Sequence, residues 1–152
     1  MPRNRDDNAT MLKAIVTTLK AFVAGVLAML VFHQGTLAGL HYLGETPLLA
    51  YNMVPAWPFG WPQLATWSLW GGAWGIVVWG LIRSAQAAGY YVGAILLAAV
   101  LLSAVYLVVI LPLAGRPFAA NWDQHFIAGL LLLNAAWGLG LALFMRVFKP
   151  PI

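Results

Sequence analysis

The chain has 152 residues, of which 62% are hydrophobic and 8% are charged, and its formal net charge is +4. A water-soluble domain normally has roughly 25% charged residues to cover its surface, and this chain has only eight basic and four acidic ones. The composition therefore excludes a soluble globular protein and predicts that the lipid bilayer surrounds most of the chain. Cysteine is absent, which excludes disulfides, thiolate metal sites and a cysteine nucleophile.

Four apolar stretches are long enough to cross a membrane, since a bilayer core needs roughly 20 helical residues. They cover about 21–43, 64–82, 90–111 and 126–145, and none contains a charged residue. The amphipathic residues 11–16 are predicted to extend the first helix. Residues 95–102 are apolar throughout, whereas the strands of a membrane barrel alternate apolar and polar residues. We therefore predict an all-α membrane protein with four transmembrane helices in two antiparallel hairpins.

The basic residues lie at the ends of these stretches and form no stripe of the kind that binds nucleic acid. With the N-terminus inside, seven lie in cytoplasmic segments and only Arg116 lies outside. The seven are Arg3, Arg5, Lys13, Lys20, Arg83, Arg146 and Lys149. Because Lys and Arg favour the cytoplasmic side, we predict that both termini are cytoplasmic. Residues 1–20 then form a cytoplasmic N-terminal segment, 21–146 the transmembrane domain and 147–152 a cytoplasmic tail. A cleaved signal peptide is the alternative for the first helix, but that helix is longer than the apolar core of a signal.

The longest connection, residues 44–63, contains four prolines together with tyrosine, tryptophan and phenylalanine. Proline interrupts helices, and Trp and Tyr favour the headgroup layer. The segment is therefore predicted to lie on the membrane surface as an interfacial anchor, and the alternative is a lid over a lipid or quinone site.

Small residues recur at four-residue spacing in several helices, which favours close helix packing in lipid. The pairs are Gly35/Gly39, Gly71/Gly75, Gly89/Gly93 and Ala136/Gly140. We expect them to form the seams of one bundle, and one pair could serve a homodimer. Residues 73–75 and 136–138 both read Ala-Trp-Gly, which suggests an internal repeat or a chance match.

Polar residues inside the spans are candidates for a functional site, because each is unfavourable there without a partner. His33 and Gln34 lie within the first helix, and Asn134 lies within the fourth. Counted from the outer helix ends, His33 and Asn134 are at depths of roughly 15 and 12 Å. We therefore predict a hydrogen bond between them, with Gln34 as the alternative donor. A functional interpretation makes His33 a proton relay, a quinone contact or a haem ligand.

A second polar group is predicted near the outer surface, where His41 and Glu45 follow the first helix and Asp123 and His125 precede the fourth. Imidazole and carboxylate groups could bind a divalent ion there, although the spacing matches no compact metal motif. Asp123 is alternatively the N-cap of the fourth helix.

Several short motifs are similar to those of a group of small, uncharacterised inner-membrane proteins of proteobacteria. They are residues 31–36 (VFHQGT), 58–62 (PFGWP), 70–75 (WGGAWG) and 134–138 (NAAWG). The resemblance extends over nearly the whole transmembrane part. It implies the four-helix architecture and a location in the bacterial inner membrane, and it brings no activity with it.

The sequence favours a non-enzymatic membrane protein that packs against itself or a larger membrane complex. No cofactor is predicted. Two alternatives remain open: a redox or quinone-linked subunit that uses His33, Gln34 and Asn134, and a small transporter or channel that functions as an oligomer.

Overall fold

The computed structural model describes residues 5–148, with side chains from Asp7 onwards. Within that part it contains four helices long and apolar enough to cross a membrane, which confirms the predicted all-α architecture. We label these helices α1 to α4. The predicted roles of Arg3 and Lys149 in topology lie outside the described residues.

Two of the helices contain π-helical turns. Helix α1 comprises Arg5–Ala28, the π turn Met29–His33 and Gln34–Tyr42. Helix α2 is Gln63–Ile82 and α4 is Gln124–Val147. Helix α3 comprises Ala87–Leu97, a π turn Ala98–Leu102, Ser103–Val105, a second π turn Tyr106–Ile110 and Leu111–Leu113. The early start of α1 confirms the helical extension over residues 11–16.

Helices α1 and α2 pack antiparallel, since Gly25 meets Gly71 while Ala21 meets Gly75. Both described chain ends lie at the same end of the bundle. At that end, which we call the terminal end, the Lys20 Nζ atom donates to the Phe148 carbonyl at 2.9 Å. At the opposite end, which we call the loop end, the His125 ring at the start of α4 contacts the residue 45 carbonyl just beyond α1. The most extensive helix contacts join α1 to α2, α1 to α4 and α3 to α4. Helices α1 and α4 are therefore the central pair.

Glycines set the closest helix approaches. A Cβ atom on Gly25 would overlap the Gly71 carbonyl oxygen, and one on Gly75 would overlap the Ala21 carbonyl oxygen. On the other side of the bundle, a Cβ atom on Gly138 would overlap backbone of α3. The prediction that Gly71 and Gly75 form a bundle seam is therefore confirmed. Close backbone contact of this kind replaces the hydrophobic driving force that helices lack in lipid.

Trp137 connects the two central helices, α1 and α4. Its side chain is fully buried, and its indole N–H donates to the Gly25 carbonyl oxygen at 2.9 Å. The bond lies beside Gly71, so three helices meet at one point. Trp74, at the equivalent place in the possible repeat, is only half-buried.

The long connection at the loop end is compact. We call residues 44–62 the strap. It contains a two-residue antiparallel ladder of strands β1, Pro55–Ala56, and β2, Trp61–Pro62. Its backbone also accepts from the first amides of α2, with Gln63 N bonded to Val54 O at 2.9 Å and Leu64 N bonded to Asn52 O at 3.0 Å. These bonds satisfy donors that a helix N-terminus otherwise leaves unpaired.

Candidate functional site: a buried polar layer

Five polar side chains are buried in the part of the chain that the structure describes, and every helix contributes at least one. They are His33, Gln34, Thr66, Ser103 and Asn134, each at most 6% exposed. All five lie in the half of their helix nearer the loop end. We call this set the polar layer. It is the candidate site because buried polar groups in an apolar bundle need partners.

Asn134 forms a hydrogen bond with α3, which the sequence did not predict. Its Nδ2 atom donates to the Ser103 Oγ atom on α3 at 2.9 Å, and both side chains are buried. The predicted bond between His33 and Asn134 is therefore wrong. Similar depth along two helices is not sufficient for contact, because Asn134 faces α3 while His33 faces α2. Helices α1 and α4 are instead hydrogen-bonded through Trp137.

Gln34 is bonded to the strap. Its Oε1 atom accepts from the backbone N–H of Tyr51 at 2.7 Å. The Tyr51 hydroxyl reaches further along α1 and donates to the Leu30 carbonyl oxygen at 3.0 Å. The Tyr51 hydroxyl therefore contacts α1 three helical turns before its end, while the location of the strap on the membrane surface stays a prediction. The physical reason is that the Gln34 amide and the Leu30 carbonyl both need partners in an apolar environment.

The π turn explains why the Leu30 carbonyl is available. In a regular α-helix the Gln34 N–H would bond to it, but here that N–H bonds to the carbonyl oxygens of Met29 and Val31. The Tyr51 hydroxyl bonds to the Leu30 oxygen instead. Turns of this kind are frequent at functional sites, and this one ends at His33.

His33 lacks a partner for one ring nitrogen. Its Nδ1 atom is buried without a hydrogen bond, and its ring meets Trp67 edge-on with centroids 5.6 Å apart. The Thr66 and Ser68 hydroxyl oxygens, one residue to either side of Trp67, are also buried and unpaired. Within residues 7–148 these three are the buried side-chain polar atoms without a bond. The three atoms therefore lie near the loop end, the imidazole on α1 and the two hydroxyls on either side of Trp67 on α2.

Thr66, near the start of α2, lies beside the strap. Trp70 and Val77 lie on the same face of α2 and are exposed. Thr66 is only 3% exposed, and Phe59 of the strap lies with it in a shallow apolar groove of about 230 Å³. The strap thus contacts α1 through Tyr51 and α2 through Phe59.

The grooves do not reach the middle of the polar layer. The loop-end groove is lined by Phe59, Thr66, Leu69 and Trp70. A second, apolar groove of about 470 Å³ is lined by residues 14–22 of α1 together with Ile76. Neither includes His33, Gln34 or Asn134. The geometry therefore supports a role for most of the layer in hydrogen bonding between segments.

The second predicted cluster is only partly assembled. The His125 Nε2 atom lies 2.7 Å from the Glu45 carbonyl oxygen and 3.8 Å from its carboxylate. Asp123 accepts from the backbone N–H groups of His125 and Phe126, which confirms it as the N-cap of α4. The His41 ring contacts the Thr46 carbonyl instead. Among the described residues no three or more His, Asp or Glu side chains could hold a metal ion.

Sequence reasoning missed Ser103, and it noted Tyr51 only as an aromatic of the loop and Trp137 only as part of a motif, without their hydrogen bonds. Ser103 had a signal, since it is the one hydroxyl in the apolar run of residues 92–105. Tyr51 had little sequence signal, because its role depends on a backbone turn with φ of +54°.

Comparison of the chain with protein-family models, curated proteins and solved structures finds no match.

Proposed function

We propose that this chain is a multi-pass protein of the bacterial inner membrane with both termini in the cytoplasm, and that it acts as a non-enzymatic packing or accessory subunit. The terminal end carries Lys20, Arg83 and Arg146, while Arg116 is at the loop end. Arg146 also stacks over Tyr90 at 4.8 Å, an arrangement suited to a membrane interface. These positions support the orientation that the positive-inside bias favours.

The observation that carries the proposed function is an open face of small residues on α1. Gly35, Ala38 and Gly39 follow one another at helical spacing and are all exposed. A Cβ atom on either glycine would meet no heavy atom within 4 Å. A glycine inside a helix costs about 0.5–1 kcal/mol relative to alanine, and packing among the described residues does not require it here. Such a face suits close approach of a second helix in lipid.

The exposed face continues to the C-terminal end of α1. Tyr42, one turn beyond Gly39, is 90% exposed, and Leu43 is 71% exposed. The last nine residues of α1, Gln34–Tyr42, bury only Gln34 and Leu37. We propose a second copy of the chain as the partner, because in a two-fold symmetric dimer the same small-residue face meets itself and lets two helices approach closely.

Disulfide cross-linking in native membranes tests the proposal, and the chain provides a cysteine-free background. An Ala38→Cys variant is expected to form a cross-linked dimer on mild oxidation. Ala73→Cys is the matched control, since Ala73 is also exposed but lies on α2. Equal cross-linking of both variants, or of neither, together with a monomer in mild detergent, would remove the support for self-association.

A fusion test checks the proposed orientation. A fluorescent protein fused to the C-terminus should fluoresce if that end is cytoplasmic.

A second candidate function is a redox or quinone-linked subunit, and the unpaired polar atoms around Trp67 favour it. The His33 Nδ1 atom and the Thr66 and Ser68 hydroxyls could each bond to a quinone oxygen if the helices separated locally. The purified protein would then carry quinone in its organic extract. An extract without quinone and an optical spectrum without a haem band would exclude this version.

A further inference from the structure

We infer that the apolar groove between α1 and α2 binds one anionic phospholipid, with an acyl chain in the groove and the phosphate at Arg83. The groove has a volume of about 470 Å³. Its lining residues are Ala14, Ile15, Thr18, Leu19, Phe22 and Ile76. They lie in the half of the bundle nearer the terminal end, whereas the open face of small residues proposed for a dimer lies at the other end of α1. The lipid site is therefore independent of the proposed dimer.

Phe22 closes the inner end of this groove. A Cβ atom on Gly72 would overlap the Phe22 ring, so the ring packs directly on the backbone of α2. Gly72 is at the middle of α2, which runs from Gln63 to Ile82. The ten residues from there to the end of α2 rise about 15 Å, half of a hydrocarbon core roughly 30 Å thick. The groove therefore extends along the depth of one lipid leaflet.

Arg83 lies at the outer mouth of the groove. It follows Ile76 by two helical turns and has helical backbone angles, so it continues the same face of α2. The level on α1 follows from the antiparallel packing, in which Ala21 meets Gly75. Eight residues beyond that contact, Arg83 is level with the Ala14 end of the groove. A lipid whose chain fills the groove would thus have its headgroup beside Arg83.

The Arg83 guanidinium is available to a phosphate. Arg83 is exposed, and within residues 7–148 the one ion pair joins His125 to Glu45 at the loop end. Asp7 is the carboxylate of the described part at the terminal end, and it lies about 9 Å further out along α1 than the level of Arg83. A guanidinium can bind two phosphate oxygens at once. An apolar groove that ends at an unpaired cation fits an acyl chain with an anionic headgroup.

Native mass spectrometry of the chain purified in mild detergent tests the site by counting bound lipids. Phosphatidylglycerol and phosphatidylcholine with the same acyl chains are titrated separately. We expect one phosphatidylglycerol to bind about fivefold more tightly than phosphatidylcholine, the effect of one basic residue near a membrane surface. This preference should disappear in Arg83→Gln. Arg116→Gln is the matched control, because Arg116 is also exposed but lies at the loop end.

A second pair of variants tests the groove itself. Thr18→Trp places a large side chain in the groove and should weaken the binding of both lipids, because Thr18 is a lining residue. Val16→Trp is its control, since Val16 is on the same helix, is also exposed and does not line the groove. Both substitutions are at exposed positions, so the bundle is expected to stay folded.

Three results would overturn the proposal. One is equal binding of the two lipids to the unmodified chain, and another is a preference for phosphatidylglycerol that persists in Arg83→Gln. The third is lipid binding by Thr18→Trp that equals that of Val16→Trp. If a second copy of the chain covers the groove instead, Thr18→Trp will lower the dimer fraction and leave lipid binding unchanged, which also contradicts the proposal.

Discussion

The contact between Gly25 and α2 permits a sharp test of the packing. A Gly25→Ala side chain would overlap the Gly71 carbonyl oxygen and lie 2.9 Å from its carbon and 3.0 Å from the Gly75 Cα atom. All three are backbone atoms, so no side chain can rotate away and α1 must move from α2. Overpacking of this kind costs about 1–3 kcal/mol. The shift also strains the Trp137 bond to the Gly25 carbonyl, and such bonds in membrane proteins contribute about 0.6 kcal/mol.

The expected loss is therefore about 2–4 kcal/mol in the free energy of unfolding, the sum of these two effects. Unfolding by sodium dodecyl sulfate in mixed micelles, followed by tryptophan fluorescence and circular dichroism, measures it. Gly80→Ala is the matched control, because a Cβ atom there meets no heavy atom within 4 Å; it should be neutral or slightly stabilising. If the Gly25→Ala protein unfolds at the same detergent fraction as the Gly80→Ala protein, the close α1–α2 contact is not present in the membrane.

Three further predictions concern the polar layer and use the same unfolding measurement. A double-mutant cycle with Asn134→Ala and Ser103→Ala should give a coupling of about 0.6 kcal/mol and no more than about 1.7; additive effects would mean that the bond is absent. His33→Phe should raise the free energy of unfolding by about 1 kcal/mol, because it removes a buried unpaired nitrogen; a clear loss of stability would indicate that this nitrogen has a partner in the membrane. Gln34→Leu should lower it by about 1–2 kcal/mol, because the Tyr51 amide loses its acceptor, and an unchanged value would argue against that contact.

The candidate site was predicted only in part. His33, Gln34 and Asn134 are buried as their positions within apolar spans implied. Their partners were not predicted, because the azimuth of each side chain depends on how the helices rotate against one another. The π turns add to this difficulty, since each inserts an extra residue into a helical turn and changes the face on which later residues lie.

The glycine pairs also show what the sequence could predict and what it could not. Gly71/Gly75 and Gly35/Gly39 have the same spacing, and nothing in the local sequence separates a buried seam from an open one. The structure packs Gly75 against Gly25 and leaves both Gly35 and Gly39 without neighbours. The difference arises because α1 continues past the first turn of α2, so its last turns have fewer helices beside them.

The sequence by itself determined the all-α architecture and the number of helices. Each helix must satisfy its own backbone in hydrocarbon and must reach across it, and both requirements act along the chain. Only the tertiary structure decided which side chains meet: Asn134 with Ser103, Trp137 with Gly25 and Tyr51 with the π turn. These pairings depend on helix rotation and on the course of the strap, which are settled by contacts between residues far apart in the sequence.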